Sequence, residues 1–508
     1  MAVFFDLNRK SRIPLYVQLV TQAREMIARG ALKAGDRLPA NRELARQLNV
    51  NRNTVITAYS ELEADGLIES HVGRGTFITA VAENRRKADA PTKTAPSPVM
   101  WSTLMISTQR DRWLGSLLGS QQPRNTISLA HGLPQAELFP LDDFRRSVDR
   151  VLRKEGRELL QLGLSGGYFP LQEYLSSHMA MAGIKAAPEE ILITNGCQQS
   201  LDLIRRVFID SGDEVAIENP TYPGAISVFC CANARFVGVP VGDAGMDLDA
   251  LEDILSQRRP KLIYTIPTYH NPTGARMDMA ARRRLLDIAI KYRVPIIEDD
   301  IYSELHYEGP LHPSLKAMDQ HGVVISINSF SKIGFPGLRV GWIVAPRVVI
   351  EQLNIAKQNA DLHASLLSQA AIHEFSRRGL LAKHVRKVRR AYRERRDAML
   401  EALKRYLPEE ATWSKPSGGM AIWVRLPEQI NTSEILLHAA ERGVTFSPGE
   451  HFYSSRPQFN MMRLCFSIAS PEVIEEGIRR LGSVIKERLV SLKRQRAMRA
   501  PEAMRALV

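Results

Sequence analysis

The chain reads as multidomain, with two folding units of different class. A small α+β module of helix-turn-helix type with a hairpin precedes a large α/β domain that ends in a smaller α+β part. Three observations carry that reading. Between Leu38 and Leu62 apolar residues recur every three or four positions, the period of a helix face. Beyond about Arg110, short apolar runs alternate with helical stretches, the grammar of a largely parallel sheet. Between the two, residues 83–98 (ENRRKADAPTKTAPSP) lack apolar periodicity and cannot bury enough surface to fold, so they are expected to form a linker. The expected division is a module over 1–80, a linker over 81–110, the large domain over 111–488 and a basic tail over 489–508.

A chain of 508 residues is long enough to bury two or three separate cores. Its 44% hydrophobic and 24% charged residues are those of a globular protein. The net charge of +13 suits a polyanionic partner. Much of the excess lies in residues 377–405, with Arg386, Lys387, Arg389, Arg390, Arg393, Arg395 and Arg396, a stretch that reads as a solvated helix face. More lies in the tail, with Lys493, Arg494, Arg496, Arg499 and Arg505. Cys197, Cys230, Cys231 and Cys465 form no CxxC pair and have no metal-ligand spacing, so a reduced, cytoplasmic protein without a metal is expected. No apolar run is long enough for a signal peptide or a membrane span.

In the N-terminal module Pro39 is expected to open a helix containing Leu44, Ala45 and Leu48. After a turn at Asn49-Val50, a second helix starts near Asn51 and buries Val55, Ala58, Tyr59 and Leu62. Asn51, Arg52, Asn53 and Thr54 then stand at the start of that helix on its other face, where a recognition helix meets base edges. Arginine pairs bidentately with guanine and asparagine with adenine, while threonine serves bases or phosphates. Asp65-Gly66-Leu67-Ile68 turns the chain into Gly73-Arg74-Gly75-Thr76-Phe77-Ile78, a wing whose two glycines let Arg74 approach a phosphate backbone or a minor groove. The module is therefore expected to bind double-stranded DNA.

Leu15-Tyr16-Val17-Gln18-Leu19, Gly35-Asp36-Arg37-Leu38-Pro39, Arg42-Glu43-Leu44-Ala45 and Gly73-Arg74-Gly75-Thr76-Phe77 follow one another in the order seen in the GntR family of bacterial winged-helix regulators, which this segment resembles. The resemblance implies that Arg42, Arg52, Asn53, Thr54 and Arg74 contact an operator.

The large domain gathers a different chemistry. Lys332 follows Ser329 and Ser331 at a strand end and precedes Arg339 by seven positions, which supplies an amine for a Schiff base with hydroxyls and a guanidinium for a phosphate. Asp299, in Glu298-Asp299-Asp300-Ile301-Tyr302, offers a carboxylate to a pyridine nitrogen; Tyr302 and Asn271 can hydrogen-bond a phenolic oxygen. Thr194-Asn195-Gly196-Cys197-Gln198-Gln199 lies between a strand and a helix, so its backbone N–H groups can bind an anion, with Cys197 a backbone donor rather than a nucleophile. Tyr222 can stack on a ring or be a core residue, and Arg463 can clamp a carboxylate or form a surface ion pair.

In this order and spacing the residues resemble those of fold-type-I aminotransferases, over about residues 127–486. The resemblance implies pyridoxal 5'-phosphate bound as a Schiff base on Lys332, Asp299 against the pyridine nitrogen and Tyr222 stacked on the ring. It gives Asn271 and Tyr302 the phenolic oxygen, and Gly196, Cys197, Gln198, Ser329, Ser331 and Arg339 the phosphate. Arg463 takes the substrate carboxylate. Where the family usually has a tyrosine that reaches the neighbouring subunit's phosphate, this chain has Leu162, so either Tyr168 substitutes or the phosphate is held without that bond.

A GntR-type module joined to an aminotransferase-like domain resembles the MocR subgroup. That resemblance implies a dimeric transcriptional regulator that senses an amine or amino acid through an aldimine at Lys332. The alternative is a working aminotransferase carrying an accessory DNA-binding module.

Overall fold

The computed structural model describes residues 5, 7, 15–29, 31–64, 66–71, 75–79 and 126–505. The chain divides into two compact units, Met1–Ser107 and Thr108–Val508. The expected linker over 81–110 lies outside the described residues.

In the first unit, α1 (Leu15–Arg29), α2 (Asn41–Gln47) and α3 (Arg52–Ala64) enclose a core that includes Leu19, Leu44, Val55 and Leu62. A small antiparallel sheet adjoins them, formed by β1 (Arg37–Leu38), β2 (Ile68–His71) and β3 (Gly75–Ile78) in the order β1-β3-β2. The helix expected to open at Pro39 starts at Asn41. Tyr59 Oη donates to the Pro39 carbonyl at 2.9 Å, and it is the Ala40 carbonyl that accepts the first helical N–H groups, from Glu43 and Leu44. Asn49 takes a left-handed φ of 51° in the turn between α2 and α3, a conformation asparagine tolerates better than most residues. Gly75 has φ 113°, a backbone conformation that strains any side chain, so glycine suits this strand start.

The second unit is built on an eight-stranded sheet, ordered β5-β12-β11-β10-β9-β6-β7-β8. Its strands are β5 (Ile191–Thr194), β6 (Glu214–Asn219), β7 (Arg235–Gly242), β8 (Gly245–Met246), β9 (Leu262–Thr265), β10 (Ile296–Asp299), β11 (Val324–Ser329) and β12 (Gly341–Val344). β5, β6, β7, β9, β10 and β11 run parallel, while β12 runs against both its neighbours and β8 pairs antiparallel with β7. Strands β5, β9, β10 and β11 are buried almost throughout, as a parallel sheet covered on both faces requires. The helix over Met279–Tyr292 spans the residues expected of it, opening where Asp278 accepts a hydrogen bond from the Ala281 N–H and closing at Arg293 in the left-handed region.

A smaller α+β part follows. Its sheet, ordered β13-β14-β17-β16, comprises β13 (Thr412–Trp413), β14 (Ala421–Arg425), β16 (Ser447–Pro448) and β17 (Met461–Cys465). It is not purely C-terminal: β4 (Ile127–Ser128) pairs in parallel with β15 (Val444–Thr445), which brings residues 127–133 to its edge.

Two expectations about charge need correction. In the helix Leu380–Tyr406, Arg386, Lys387, Arg390 and Arg393 are exposed, but Arg395 and Arg396 are buried. Arg395 donates to the Ser467 carbonyl and Arg396 to Glu308, while Arg389 pairs with Glu304, so half of the supposed solvated face ties the helix to its neighbours. The expected tail boundary at residue 489 falls inside one continuous helix, Pro471–Arg505, in which Leu489 is buried. Among the described residues no helix is long and apolar enough to cross a membrane, and no cluster of His, Cys, Asp and Glu is placed to hold a metal.

Candidate functional site

Parallel strands end on the same edge of a sheet, and that fact assembles the site. Asn195 and Gly196 follow β5, Tyr222 follows β6, Asn271 follows β9, Asp299 ends β10 and Ser329 ends β11. Antiparallel β12 begins where these strands finish. Gly341 is in register with both Thr194 and Ser329, so Arg339 reaches the same edge from the opposite chain direction.

Lys332 lies at the centre, with its Nζ donating to the Gly132 carbonyl at 2.6 Å. Burial, aided by the nearby Arg463 guanidinium, brings its amine down to about 8 from an ordinary lysine value. Lysine becomes a nucleophile only when neutral, so this depression raises the reactive fraction at neutral pH. Asp299 is 3% exposed. Its Oδ2 accepts from Tyr264 Oη at 2.8 Å, while its buried Oδ1 meets no donor at hydrogen-bond distance among the described residues. Burial pushes this carboxyl up to about 6 against the opposing Tyr264 bond.

The next group surrounds the N-terminus of the helix Cys197–Phe208. Gly196 has φ 83°, and a Cβ there would stand 2.6 Å from Arg339 Nη2, which itself donates to the Asn195 carbonyl at 3.0 Å. Ser329 Oγ lies 2.8 Å from Ser331 Oγ and 3.1 Å from the Val340 carbonyl. Burial pushes the Cys197 thiol well up, so it is held as S–H and is no nucleophile. Tyr222 Oη donates to Gln198 Oε1 at 3.3 Å, its ring lies over Gly224, and burial pushes its phenol up to about 12. Burial likewise raises Tyr302 and keeps its hydroxyl a donor.

Arg463 lies on β17, with Nη1 donating to Asn271 Oδ1 at 2.9 Å and Nη2 to the Ala130 carbonyl at 2.7 Å, while its buried Nε has no partner among the described residues. Asn271, Tyr302 and Arg463 line one cavity together with Gly132 and Cys465. The alternative of a surface ion pair for Arg463 has no support among the described residues; its partners are an amide, a carbonyl and Ser447.

These donors fit a pyridine ring bearing a phosphate. A buried carboxylate oxygen without a donor suits a protonated ring nitrogen. A helix N-terminus opened by glycine, with a guanidinium against it, suits a dianion. Four contributors were missed from the sequence: Tyr264, Gly132, Ala130 and Ser447. Tyr264 sits inside an apolar strand run and carries no signal of its own. Ala130 and Gly132 act through backbone carbonyls, and only tertiary pairing brings their segment in.

Leu162 is 80% exposed, and Tyr168 Oη donates to Glu155 Oε2 at 2.6 Å within its own chain.

In the first unit, Arg42 at the start of α2 and Asn51 and Arg52 at the start of α3 are exposed, and Thr54 is half-buried with its N–H bonded to the Asn51 carbonyl at 3.0 Å. Asn53 belongs to α3, but its side chain, like the whole of Arg74, lies outside the described residues.

Comparison with known proteins covers both units. The family model for aminotransferase class I and II matches residues 125–481, and that for bacterial regulatory proteins of the gntR family matches 15–78. An uncharacterized HTH-type transcriptional regulator of Bacillus subtilis, YdfD, is 34% identical over 95% of this chain and 99% of its own. The probable rhizopine catabolism regulatory protein MocR of Rhizobium meliloti is 33% identical over 94% of this chain and 95% of its own. The crystal structure of the alpha-aminoadipate aminotransferase LysN of Thermus thermophilus, complexed with N-(5'-phosphopyridoxyl)-L-leucine, superposes with a TM-score of 0.71 at 38% identity, covering 77% of this chain and all of that one. The large unit is thus a fold-type-I, pyridoxal-phosphate-binding aminotransferase-like domain, and the whole chain belongs to the MocR-type regulators of the GntR family.

Proposed function

We infer that the protein controls transcription in response to an amino compound, which it senses at Lys332, and that it works as a cytoplasmic homodimer on an operator read by Arg42, Asn51, Arg52, Asn53, Thr54 and Arg74. The observation that supports this most is the pairing, in one chain, of a buried amine tuned toward neutrality with an exposed, cationic helix start. When bound, pyridoxal phosphate supplies an aldehyde that amines condense with and a ring that draws off negative charge. Lys332 provides the amine that tethers it, and its lowered basicity keeps enough neutral form for exchange at physiological pH. Asp299 holds a proton on the ring nitrogen, Asn271 and Tyr302 orient the phenolic oxygen, and Tyr222 covers one face. Gly196, Cys197 and Gln198 with Ser329, Ser331 and Arg339 take the phosphate, and Arg463 receives a carboxylate when the amine carries one.

Sensing is favoured over sustained turnover by one local feature. Leu162 offers no hydroxyl, and Tyr168 is engaged by Glu155, so the phosphate is held without an aromatic hydroxyl from that segment. The test is to mix the purified protein with candidate amino acids and 2-oxo acids. A shift of the visible band without steady 2-oxo-acid turnover is expected. Turnover at enzyme-like rates would make the protein an aminotransferase with an accessory module.

A further inference from the structure

A second concavity of about 900 Å³ opens in the large unit, between loops at the outer edge of the main sheet and the strands of the smaller part. That volume is in the range of small-molecule sites. On one side it is lined by the segments around Pro240 and Arg276, on the other by Trp413, Trp423 and Tyr453. None of these residues has a role at the Lys332 centre.

The chemistry of the lining is lopsided. Three cations, Arg276, Lys415 and Arg425, face it against a single carboxylate, Asp243. Lys415 and Arg425 are exposed and form no ion pair among the described residues, and Arg276 donates to the carbonyl of Pro310 rather than to an acid. Arg425 stands close enough to Tyr453 to oppose the burial that pushes that phenol up to about 12. Trp423 and Arg425 alternate onto one face of β14, the indole largely buried at the cleft wall and the guanidinium exposed beside it. The indole is held in place: its ring meets Phe452 edge-on at 5.5 Å and packs in one cluster with Phe452, Tyr453 and Met461. A preformed aromatic wall beside uncompensated cations selects a flat body carrying negative charge.

We propose that this cleft is a second ligand site, for a small aromatic carboxylate, distinct from the cavity at Lys332. The experiment is calorimetric titration of the full-length protein with naphthalene-2-carboxylate, with 2-naphthylmethanol as the uncharged counterpart. Two variants accompany the wild type: Lys415→Ala/Arg425→Ala, which alters only exposed side chains, and Arg463→Ala, which removes the carboxylate clamp. Wild type and Arg463→Ala should bind the carboxylate alike. The double variant, and the alcohol with wild type, should bind at least about tenfold more weakly. Binding lost in Arg463→Ala would put the probe at the clamp and overturn the proposal, as would equal binding by the double variant or no binding by wild type. A double variant that binds the probe normally but duplex DNA more weakly would overturn it in favour of a nucleic-acid surface.

Discussion

The two units meet their ligands under opposite physical conditions. In the small unit Arg42, Asn51 and Arg52 stand in solvent, open to the long-range field of a polyanion. In the large unit Asp299 and Tyr302 are buried and Lys332 and Tyr222 half-buried, and desolvation moves every one of them from its ordinary titration range. Exposed groups can each be lost at modest cost, because neighbouring contacts remain. Desolvated groups act as a set, so that removing one leaves the others mispaired.

That contrast can be broken by mutation, and the largest effect is expected at Lys332. Lys332→Ala should abolish the borohydride-reducible cofactor adduct, since among the described residues no other lysine lines that centre; a persisting adduct would place the tether elsewhere. Next comes Asp299→Ala, which leaves the ring nitrogen without its counter-charge. Cofactor affinity, measured by equilibrium dialysis, should fall by about 10–100-fold, on the order of 1.5–3 kcal/mol for a hydrogen bond to a charged group. An unchanged dissociation constant would remove Asp299 from the ring. Arg52→Ala should cost about 1–3 kcal/mol on one preferred operator, if Arg52 reads a base. A uniform loss across sequences that scales with salt would recast it as a phosphate contact.

The comparison also has a pH form. Cofactor attachment to the empty protein requires neutral Lys332, whose amine is lowered to about 8. The attachment rate should therefore rise with pH and level off just above that value, whereas a midpoint near that of ordinary lysine would show that the amine is not desolvated.

Legibility in the sequence followed the same division. The small unit's helices and hairpin are local, so period and turn residues sufficed to place them, including the turn at Asn49-Val50. The large unit's site is assembled from five strand ends, yet each end carries its own short signature, such as Asn271-Pro272-Thr273-Gly274 or Ser329-Phe330-Ser331-Lys332. What escaped was anything that depends on pairing across the chain. The Ala130 and Gly132 carbonyls reach Arg463 and Lys332 only because β4 pairs with β15, more than 300 residues away. Tyr264 looks like any core strand residue until register places it beside Asp299. The arginines at 395 and 396 looked solvated because helical period alone cannot tell a face turned to water from one turned to buried carbonyls.

The central claim is that the desolvated centre governs the exposed one. The direct measurement is the affinity of the full-length protein for the promoter duplex beside its own gene, by fluorescence anisotropy. It is made with and without whichever L-amino acid shifts the visible band, for wild type and Lys332→Ala. Wild type should change its affinity when the amino acid is added. Lys332→Ala should keep basal affinity within about twofold and lose the response. A Lys332→Ala protein that responds as fully as wild type would contradict the account and leave the large unit a bystander to DNA binding.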